Sequence, residues 1–219
     1  MASLARIDSP ESFQAKFGIS RETLDRLATY AQILTRWQAT INLVAPSTLG
    51  DVWNRHFADS AQLWQFRRPN ARIWLDIGSG AGFPGLVLAI LGAENGATHH
   101  ILIESDARKA AFLREVARAT GITVDILCMR IENSETRAKV KPVDCLTARA
   151  LAPLPRLLEM SAPYFTSSTL GLFLKGKDAA AEVEQAAESW RFDCELKPSM
   201  TDAEARVVLL KALKPKREG

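Results

Sequence analysis

The sequence has few cysteines and lacks the spacings that cysteine-based sites require. Cys128, Cys145 and Cys194 are odd in number and form no Cys-x-x-Cys pair, so we expect neither a disulfide framework nor a zinc knuckle. No apolar run approaches the roughly 20 residues of a membrane-spanning helix, and the opening residues MASLARIDSPESF contain no apolar signal core. These absences favour a protein of the reducing cytoplasm, without a metal site and without a membrane partner.

Internal repeats and low-complexity linkers are also absent, and the charge is nearly balanced. Of 219 residues, 47% are hydrophobic and 24% are charged, and the formal net charge is +3. A chain of this length buries roughly 70% of its unfolded surface, which favours one main domain with an appendage, and we expect a monomer. The small positive charge permits a polyanionic partner without requiring one.

The periodicity of apolar residues changes near residue 70. Between residues 24 and 64, apolar side chains recur at steps of three and four, which predicts amphipathic helices. From Arg72 onward, short β-rich stretches alternate with helical ones, a pattern typical of a parallel sheet between helices. The last two predicted strands are too close for a crossover helix, so we expect an antiparallel hairpin. We therefore predict an α/β protein with a helical region, 1–68, before a main domain, 69–219.

A glycine-rich stretch, LDIGSGAGFPGLVLAI, joins a predicted strand to a predicted helix. Gly78, Gly80 and Gly82 permit positive φ angles and let a ligand approach the backbone closely. The free N–H groups and the partial charge of about +0.5 at a helix N-terminus favour an anionic ligand group. A tight turn without a ligand is the alternative. The Gly-x-Gly-x-x-Gly dinucleotide fingerprint fails at Phe83, which counts against a NAD-dependent oxidoreductase.

Polar residues follow the predicted strands at the edge where open α/β sheets bind ligands. Glu104 ends the second strand, where its carboxylate could accept hydrogen bonds from both hydroxyls of a ribose. The alternative is a surface ion pair with Arg108, worth at most about 0.5 kcal/mol. Arg149 ends the fourth strand. Its guanidinium group could bind a carboxylate or a phosphate through two hydrogen bonds, or it could be a solvated surface charge. His56, on the apolar face of a helix, is by itself typical of a core histidine.

Several motifs taken together resemble one family. NLVA, RHFADS, LDIGSGAGFPGLVLAI, ESDARKAAFLREV, ARALAPLPRLLEM and FLKG occur in that family's order. From about residue 30 to 210 the chain resembles the RsmG-type 16S ribosomal RNA methyltransferases, also called the glucose-inhibited division protein B family. The resemblance implies a Rossmann-like S-adenosylmethionine-dependent methyltransferase fold with a mostly parallel seven-stranded sheet. It also implies methylation of guanine N7 in the 530 loop of 16S rRNA, within free rRNA, an assembly intermediate or the small ribosomal subunit.

The same resemblance implies roles for individual residues. The residues that face S-adenosylmethionine would be Gly78, Phe83, Ile131, Glu132 and Arg149, with Glu104 on the ribose, and the glycine spacing adds Gly80. Those facing the cofactor or the RNA would be Asn42, Arg55, His56, Asp59 and Lys175. We expect no general base, because guanine N7 has a lone pair and no proton to lose, and positioning alone can supply about 7–11 kcal/mol. The alternative function is a ribosome-assembly factor that binds S-adenosylmethionine without transferring its methyl group.

Overall fold

A seven-stranded sheet forms the centre of the protein. The computed structural model describes residues 6–94, 96 and 98–216. The strands are β1 (Ile73–Ile77), β2 (His99–Ile103), β3 (Asp125–Leu127), β4 (Cys145–Arg149), β5 (Leu170–Lys175), β6 (Trp190–Pro198) and β7 (Arg206–Pro215). Their order is β3-β2-β1-β4-β5-β7-β6. Strands β1 to β5 pair in parallel, whereas β7 is antiparallel to both β5 and β6. The mostly parallel sheet and its C-terminal hairpin are confirmed.

Helices cover both faces of this sheet. They are α1 (Pro10–Phe17), α2 (Arg21–Gln38), α3 (Asp59–Ala61), α4 (Gly85–Glu94), α5 (Ala107–Thr120), α6 (Ser134–Lys139), α7 (Leu154–Ser161) and α8 (Ala179–Ser189), with short 3₁₀ helices at Pro46–Asp51 and Ala162–Tyr164. Helices α1, α2, α4 and α5 contribute to one apolar core, and α7 and α8 contribute to another. Within the described ranges, no helix is long and apolar enough to cross a membrane.

The predicted second helix of the N-terminal region is irregular. A π-helical turn, Trp53–Ala58, runs into α3, and a 3₁₀ segment, Gln62–Phe66, ends the stretch. A π turn changes the direction of the side chains that follow it, and such turns are frequent at functional sites. The NRHF part of the sequence lies in this turn, so its side chains do not follow the regular helical periodicity.

The N-terminal helices share their apolar core with the helices of the main domain. Phe13, Tyr30 and Leu34 are buried together with Leu86 and Phe112. Burying one large apolar side chain contributes about 1.5–3 kcal/mol, so this contact stabilises both parts of the chain. The division between 1–68 and 69–219 remains a prediction about domain organisation.

A buried carboxyl group lies beneath the start of α4. Asp76 is 3% exposed, and its Oδ1 accepts a hydrogen bond of 2.6 Å from Thr147 Oγ1. Burial raises the pKa of Asp76 to about 6. A Cβ atom on Gly85 would come within 2.7 Å of Asp76 Oδ2. Only glycine therefore fits at the first residue of this helix without displacing the carboxyl group.

We expect Gly85→Ala to lower the free energy of unfolding by about 1–3 kcal/mol, because the added methyl group overpacks the space occupied by Asp76. Urea unfolding monitored by circular dichroism measures this change in the free energy of unfolding. Gly50→Ala is the control, since a Cβ at Gly50 would meet nothing within 4 Å, and its effect should stay within about 0.5 kcal/mol. Equal stability of the two variants would show that Asp76 does not restrict this position.

Candidate functional site

The glycine turn lies at the carboxyl edge of the sheet, between β1 and α4. Gly78, Gly80 and Gly82 have φ angles of +65°, +55° and +86°, so the predicted left-handed backbone is confirmed. A hydrogen bond of 3.0 Å from Ser79 N to Ile103 O ties the turn to the end of β2. A Cβ atom on Gly80 would meet only the carbonyl oxygen of Gly78, at 3.8 Å. The backbone at Gly80 is therefore open to a ligand.

Glu104 connects this turn to the end of β2. The residue is 7% exposed, and its Oε2 and Oε1 accept hydrogen bonds of 2.7 Å from Gly80 N and Asp106 N. Arg108 Nε lies 3.9 Å from Asp106 Oδ1, and among the described residues it forms no ion pair with Glu104. Each carboxylate oxygen keeps a further lone pair. The carboxylate is thus held in place and can still accept hydrogen bonds from a ligand.

A first cavity, of about 420 Å³, opens between the glycine turn and the segments that follow β2, β3 and β4. Its volume is within the range of about 300–1,000 Å³ that is usual for cofactor and small-molecule sites. The lining includes all seven residues that the sequence predicts for the cofactor: Gly78, Gly80, Phe83, Glu104, Ile131, Glu132 and Arg149. Four separate strand ends therefore bring these residues together, although their contacts with a cofactor remain a prediction.

A second cavity, of about 660 Å³, adjoins the first. Four residues predicted to face the cofactor or the RNA line it, namely Arg55, His56, Asp59 and Lys175. Both cavities include Leu43, Arg149, Ala150 and Leu151 in their walls. Asn42 lines neither cavity; it is exposed, and its Oδ1 lies 3.3 Å from Gln38 Nε2. The structure therefore joins four of the five residues and leaves Asn42 beside Leu43, at the rim.

Arg149 occupies the wall between the two cavities. Its Nη1 donates to the carbonyl oxygen of Arg55 (3.0 Å) and pairs with Asp59 Oδ2 (3.4 Å), and its Nη2 donates to His56 Nδ1 (2.9 Å). The guanidinium carbon is 4.9 Å from the centre of the Phe83 ring. Burial lowers the pKa of Arg149 and raises the pKa of Asp59. The carboxylate that engages this arginine is therefore the protein's own Asp59.

The hydrogen bonds of His56 define its tautomer. Because Arg149 has only donors, His56 Nδ1 must accept its hydrogen bond. The Thr48 hydroxyl donates to Ala45 O over 2.7 Å, so its oxygen accepts the bond of 2.8 Å from His56 Nε2. Burial, together with the charge of Arg149, lowers the pKa of His56 to about 3. The imidazole is neutral near pH 7 and has both nitrogens occupied, so it is poorly suited to be a proton acceptor.

Sequence reasoning missed two residues of this region. Tyr30, on α2, donates a hydrogen bond from its hydroxyl to Ala81 O, and its ring stacks on Phe83 with centroids 5.3 Å apart. Glu182, on α8, pairs with Lys175 in the wall of the second cavity. Tyr30 follows the apolar periodicity of its helix, and Glu182 follows the acidic pattern of an exposed helix. Neither pattern contains a signal for the site.

The described part of the chain contains no group of three or more His, Cys, Asp or Glu side chains suited to a metal ion.

A family model, rRNA small subunit methyltransferase G, matches residues 23–209. The chain belongs to the rRNA small subunit methyltransferase G family. The resemblance drawn from the sequence motifs is therefore confirmed.

Relatives in the methyltransferase G family match nearly the whole chain. The ribosomal RNA small subunit methyltransferase G of Rhodospirillum centenum is 51% identical over 204 residues, which cover 93% of this chain and 91% of the relative. That of Parvibaculum lavamentivorans is 48% identical over 207 residues, covering 94% and 90%. These relatives carry the name of a methyltransferase, which disfavours the oxidoreductase interpretation.

The fold also matches solved methyltransferase structures. The O-methyltransferase from Bacillus cereus in complex with SAH has a TM-score of 0.57 and 14% identity, covering 93% of this chain and 100% of that chain. At this identity the match supports the fold alone. It confirms the Rossmann-like methyltransferase architecture that the sequence motifs imply for the methyltransferase G family.

We expect Gly80→Val to weaken S-adenosylmethionine binding more than about tenfold, which is about 1.4 kcal/mol. The branched side chain would enter the first cavity and would resist the positive φ angle. Gly121→Val, at a glycine with φ +66° and no atom within 4 Å of its Cβ position, imposes similar backbone strain away from the cavity. Calorimetric titration of both folded variants measures the effect, and equal affinities would contradict the assignment of the cavity.

We expect Glu104→Gln to weaken S-adenosylmethionine binding by about 1–3 kcal/mol, because an amide nitrogen replaces one acceptor oxygen in a buried site. Glu115→Gln is the control, because Glu115 lies on α5, is 29% exposed and does not line the first cavity, and it should leave the affinity unchanged. Isothermal titration calorimetry measures both. If Glu104→Gln binds as tightly as the unaltered protein, the carboxylate does not hold the ribose.

Proposed function

We propose that the protein transfers a methyl group from S-adenosylmethionine to N7 of a guanine in the 530 loop of 16S rRNA. The observation that carries this proposal is the pair of adjoining cavities with a common wall at Arg149 and Leu151. Membership of the methyltransferase G family supports the reaction class and the rRNA substrate. The first cavity would hold the cofactor and the second would hold the target base.

The residues of the first cavity fit S-adenosylmethionine. This cofactor supplies an electrophilic methyl group on a sulfonium when it is bound. Glu104 offers acceptor oxygens for ribose hydroxyls, and the left-handed backbone at Gly78 and Gly80 allows close approach to the chain. Phe83 and Ile131 add apolar walls. A buried carboxylate next to an open backbone suits a ribose, because hydroxyl donors satisfy the remaining lone pairs.

The second cavity would position guanine rather than activate it. Guanine N7 already has an available lone pair, so the protein does not have to remove a proton before methyl transfer. Arg149 is held by Asp59 and by neutral His56 through part-buried contacts, which keeps the common wall rigid. Alignment of the reacting atoms is the contribution that such a site makes, and it can account for about 7–11 kcal/mol of the barrier.

We propose that the protein acts as a monomer on free 16S rRNA, an assembly intermediate or the small ribosomal subunit. Arg55, half-exposed at the rim of the second cavity and paired with Asp202 at 3.0 Å, would contact RNA phosphate. Charge contacts of this kind weaken as salt rises. Methylation rates of the three substrates at matched salt concentrations identify the physiological one.

We expect the single-turnover methylation rate to stay nearly constant from about pH 7 to 8.5. The lowered pKa of His56, about 3, keeps its ring neutral throughout, and Asp76, with a pKa raised to about 6, is ionised at pH 7 and above. Neither group changes its charge in this interval, and no general base is required. Quench-flow measurements with bound RNA test this, and a rate that rises with an apparent pKa near 7 would indicate a general base.

The deciding experiment for the proposed function is mass spectrometry of nuclease-digested 16S rRNA. Cells without the gene should lack 7-methylguanosine in the fragment that contains the 530 loop, and purified protein with S-adenosylmethionine should restore it. Methyl transfer to another atom, or persistence of 7-methylguanosine after deletion without a second enzyme, would overturn the assignment. Cofactor binding without any transfer would favour the assembly-factor alternative.

A further inference from the structure

Lys175 and Glu182 form an ordered ion pair in the wall of the second cavity. Lys175 ends β5, Glu182 lies in the first turn of α8, and Lys175 Nζ is 2.8 Å from Glu182 Oε2. Lys175 Nζ also donates to Ala152 O over 2.6 Å, and Glu182 Oε2 accepts from Leu154 N over 2.6 Å. The two side chains are 9% and 23% exposed. Both charged groups are therefore held by backbone contacts before any ligand enters.

Such a pair is not explained by stability alone. Desolvating two charges offsets much of their attraction, and apolar replacements of similar volume are often neutral or stabilising. Both contacts of the Glu182 carboxylate end on Oε2, so among the described residues Oε1 remains available as an acceptor. The pair thus presents an ammonium donor and a carboxylate acceptor side by side at the second cavity.

The other carboxylates of the cavity already have several partners. Asp59 accepts hydrogen bonds from Thr201 Oγ1 (2.8 Å) and Gln62 Nε2 (3.0 Å) and pairs with Arg149. Asp202 accepts from Arg55 Nη1 and Glu204 N, each at 3.0 Å. Asp59 and Asp202 thus have contacts on both carboxylate oxygens, whereas within the described lining of the cavity Glu182 has none on Oε1.

The Watson–Crick edge of guanine matches this pair chemically. Guanine presents an acceptor at O6, followed by donors at N1–H and N2–H₂, whereas adenine presents a donor at N6 and an acceptor at N1. An ammonium donor beside a carboxylate acceptor complements the acceptor–donor–donor sequence of the guanine edge. It is mismatched with the donor–acceptor sequence of the adenine edge. N7 and the N1–N2 edge lie on opposite sides of the purine. A base whose N7 points toward the first cavity therefore directs its N1–N2 edge into the second cavity.

We propose that Lys175 and Glu182 select guanine as the target base, with Lys175 donating to O6 and Glu182 accepting from N1–H and N2–H. This inference rests on the proposed function, because it takes the second cavity to be the place of the target base. Glu182 is here a specificity-determining residue, and its carboxylate would contact the base that is methylated.

The test compares guanosine with inosine at the target position of reconstituted small subunits. Inosine retains N7, O6 and N1–H but lacks the 2-amino group that Glu182 would bind. We expect the unaltered protein to lose about tenfold in kcat/KM with inosine, the effect of one base contact of about 1.4 kcal/mol. The Glu182→Ala variant should methylate guanosine and inosine at equal, reduced rates. Glu184→Ala, an exposed residue of the same helix, is the matched control and should keep the full preference for guanosine.

Binding of S-adenosylmethionine by each variant, measured by calorimetry, verifies that the first cavity is intact. If Glu182→Ala does not fold, Glu182→Gln takes its place, and it should reduce the preference for guanosine at least threefold. The inference about Glu182 is overturned if the variant keeps the preference for guanosine over inosine, or if the unaltered protein shows no such preference. In either case, N7 methylation of guanosine still supports the proposed function. If the unaltered protein makes no 7-methylguanosine from the guanosine substrate, both proposals fail.

Discussion

The ion pair and hydrogen bonds of the part-buried Arg149 guanidinium group, 18% exposed, are the interactions on which the arrangement of the site depends. The group joins the end of β4 to the π-helical turn through His56 and the carbonyl oxygen of Arg55, and to the first residue of α3, Asp59. Removing one partner of a buried ion pair typically costs about 3–5 kcal/mol, because the other charge remains without compensation. The contact therefore keeps the two cavities next to each other and makes their common wall stiff.

The N-terminal helices complete the site as well as cover the sheet. Tyr30 reaches from α2 to the glycine turn, where it donates to Ala81 O and stacks on Phe83. His56 also stacks on Phe83, with ring centroids 4.8 Å apart. Because the π-helical turn supplies His56 and α2 supplies Tyr30, Phe83 contacts two elements of the N-terminal region. The cofactor cavity and the packing of these helices are thus energetically linked.

Much of the fold and the first cavity could be predicted from sequence, because short-range patterns determine them. Alternating strands and helices predicted the sheet, and the glycine spacing predicted positive φ angles at Gly78 and Gly80. Glu104 could be placed because the carboxyl ends of parallel strands meet at one edge. The π-helical turn at Trp53–Ala58 could not be predicted, since the apolar periodicity around it is compatible with an ordinary helix. Glu182 was missed because its carboxylate contacts the end of β5 at Lys175 and the start of α7 at Leu154, 28 positions away, and the acidic pattern of α8 does not show either contact.

By itself, the sequence determined the element order, the glycine turn and the family, because these depend on the identity and spacing of neighbouring residues. Tertiary structure alone decided which charges meet. Asp59 and Arg149 are ninety positions apart, and their pairing depends on how the π-helical turn packs against the sheet. The same packing decided that His56 is neutral, because burial and the neighbouring guanidinium lower its pKa to about 3. The free energy of a charged group depends on its three-dimensional surroundings, which local sequence patterns do not contain.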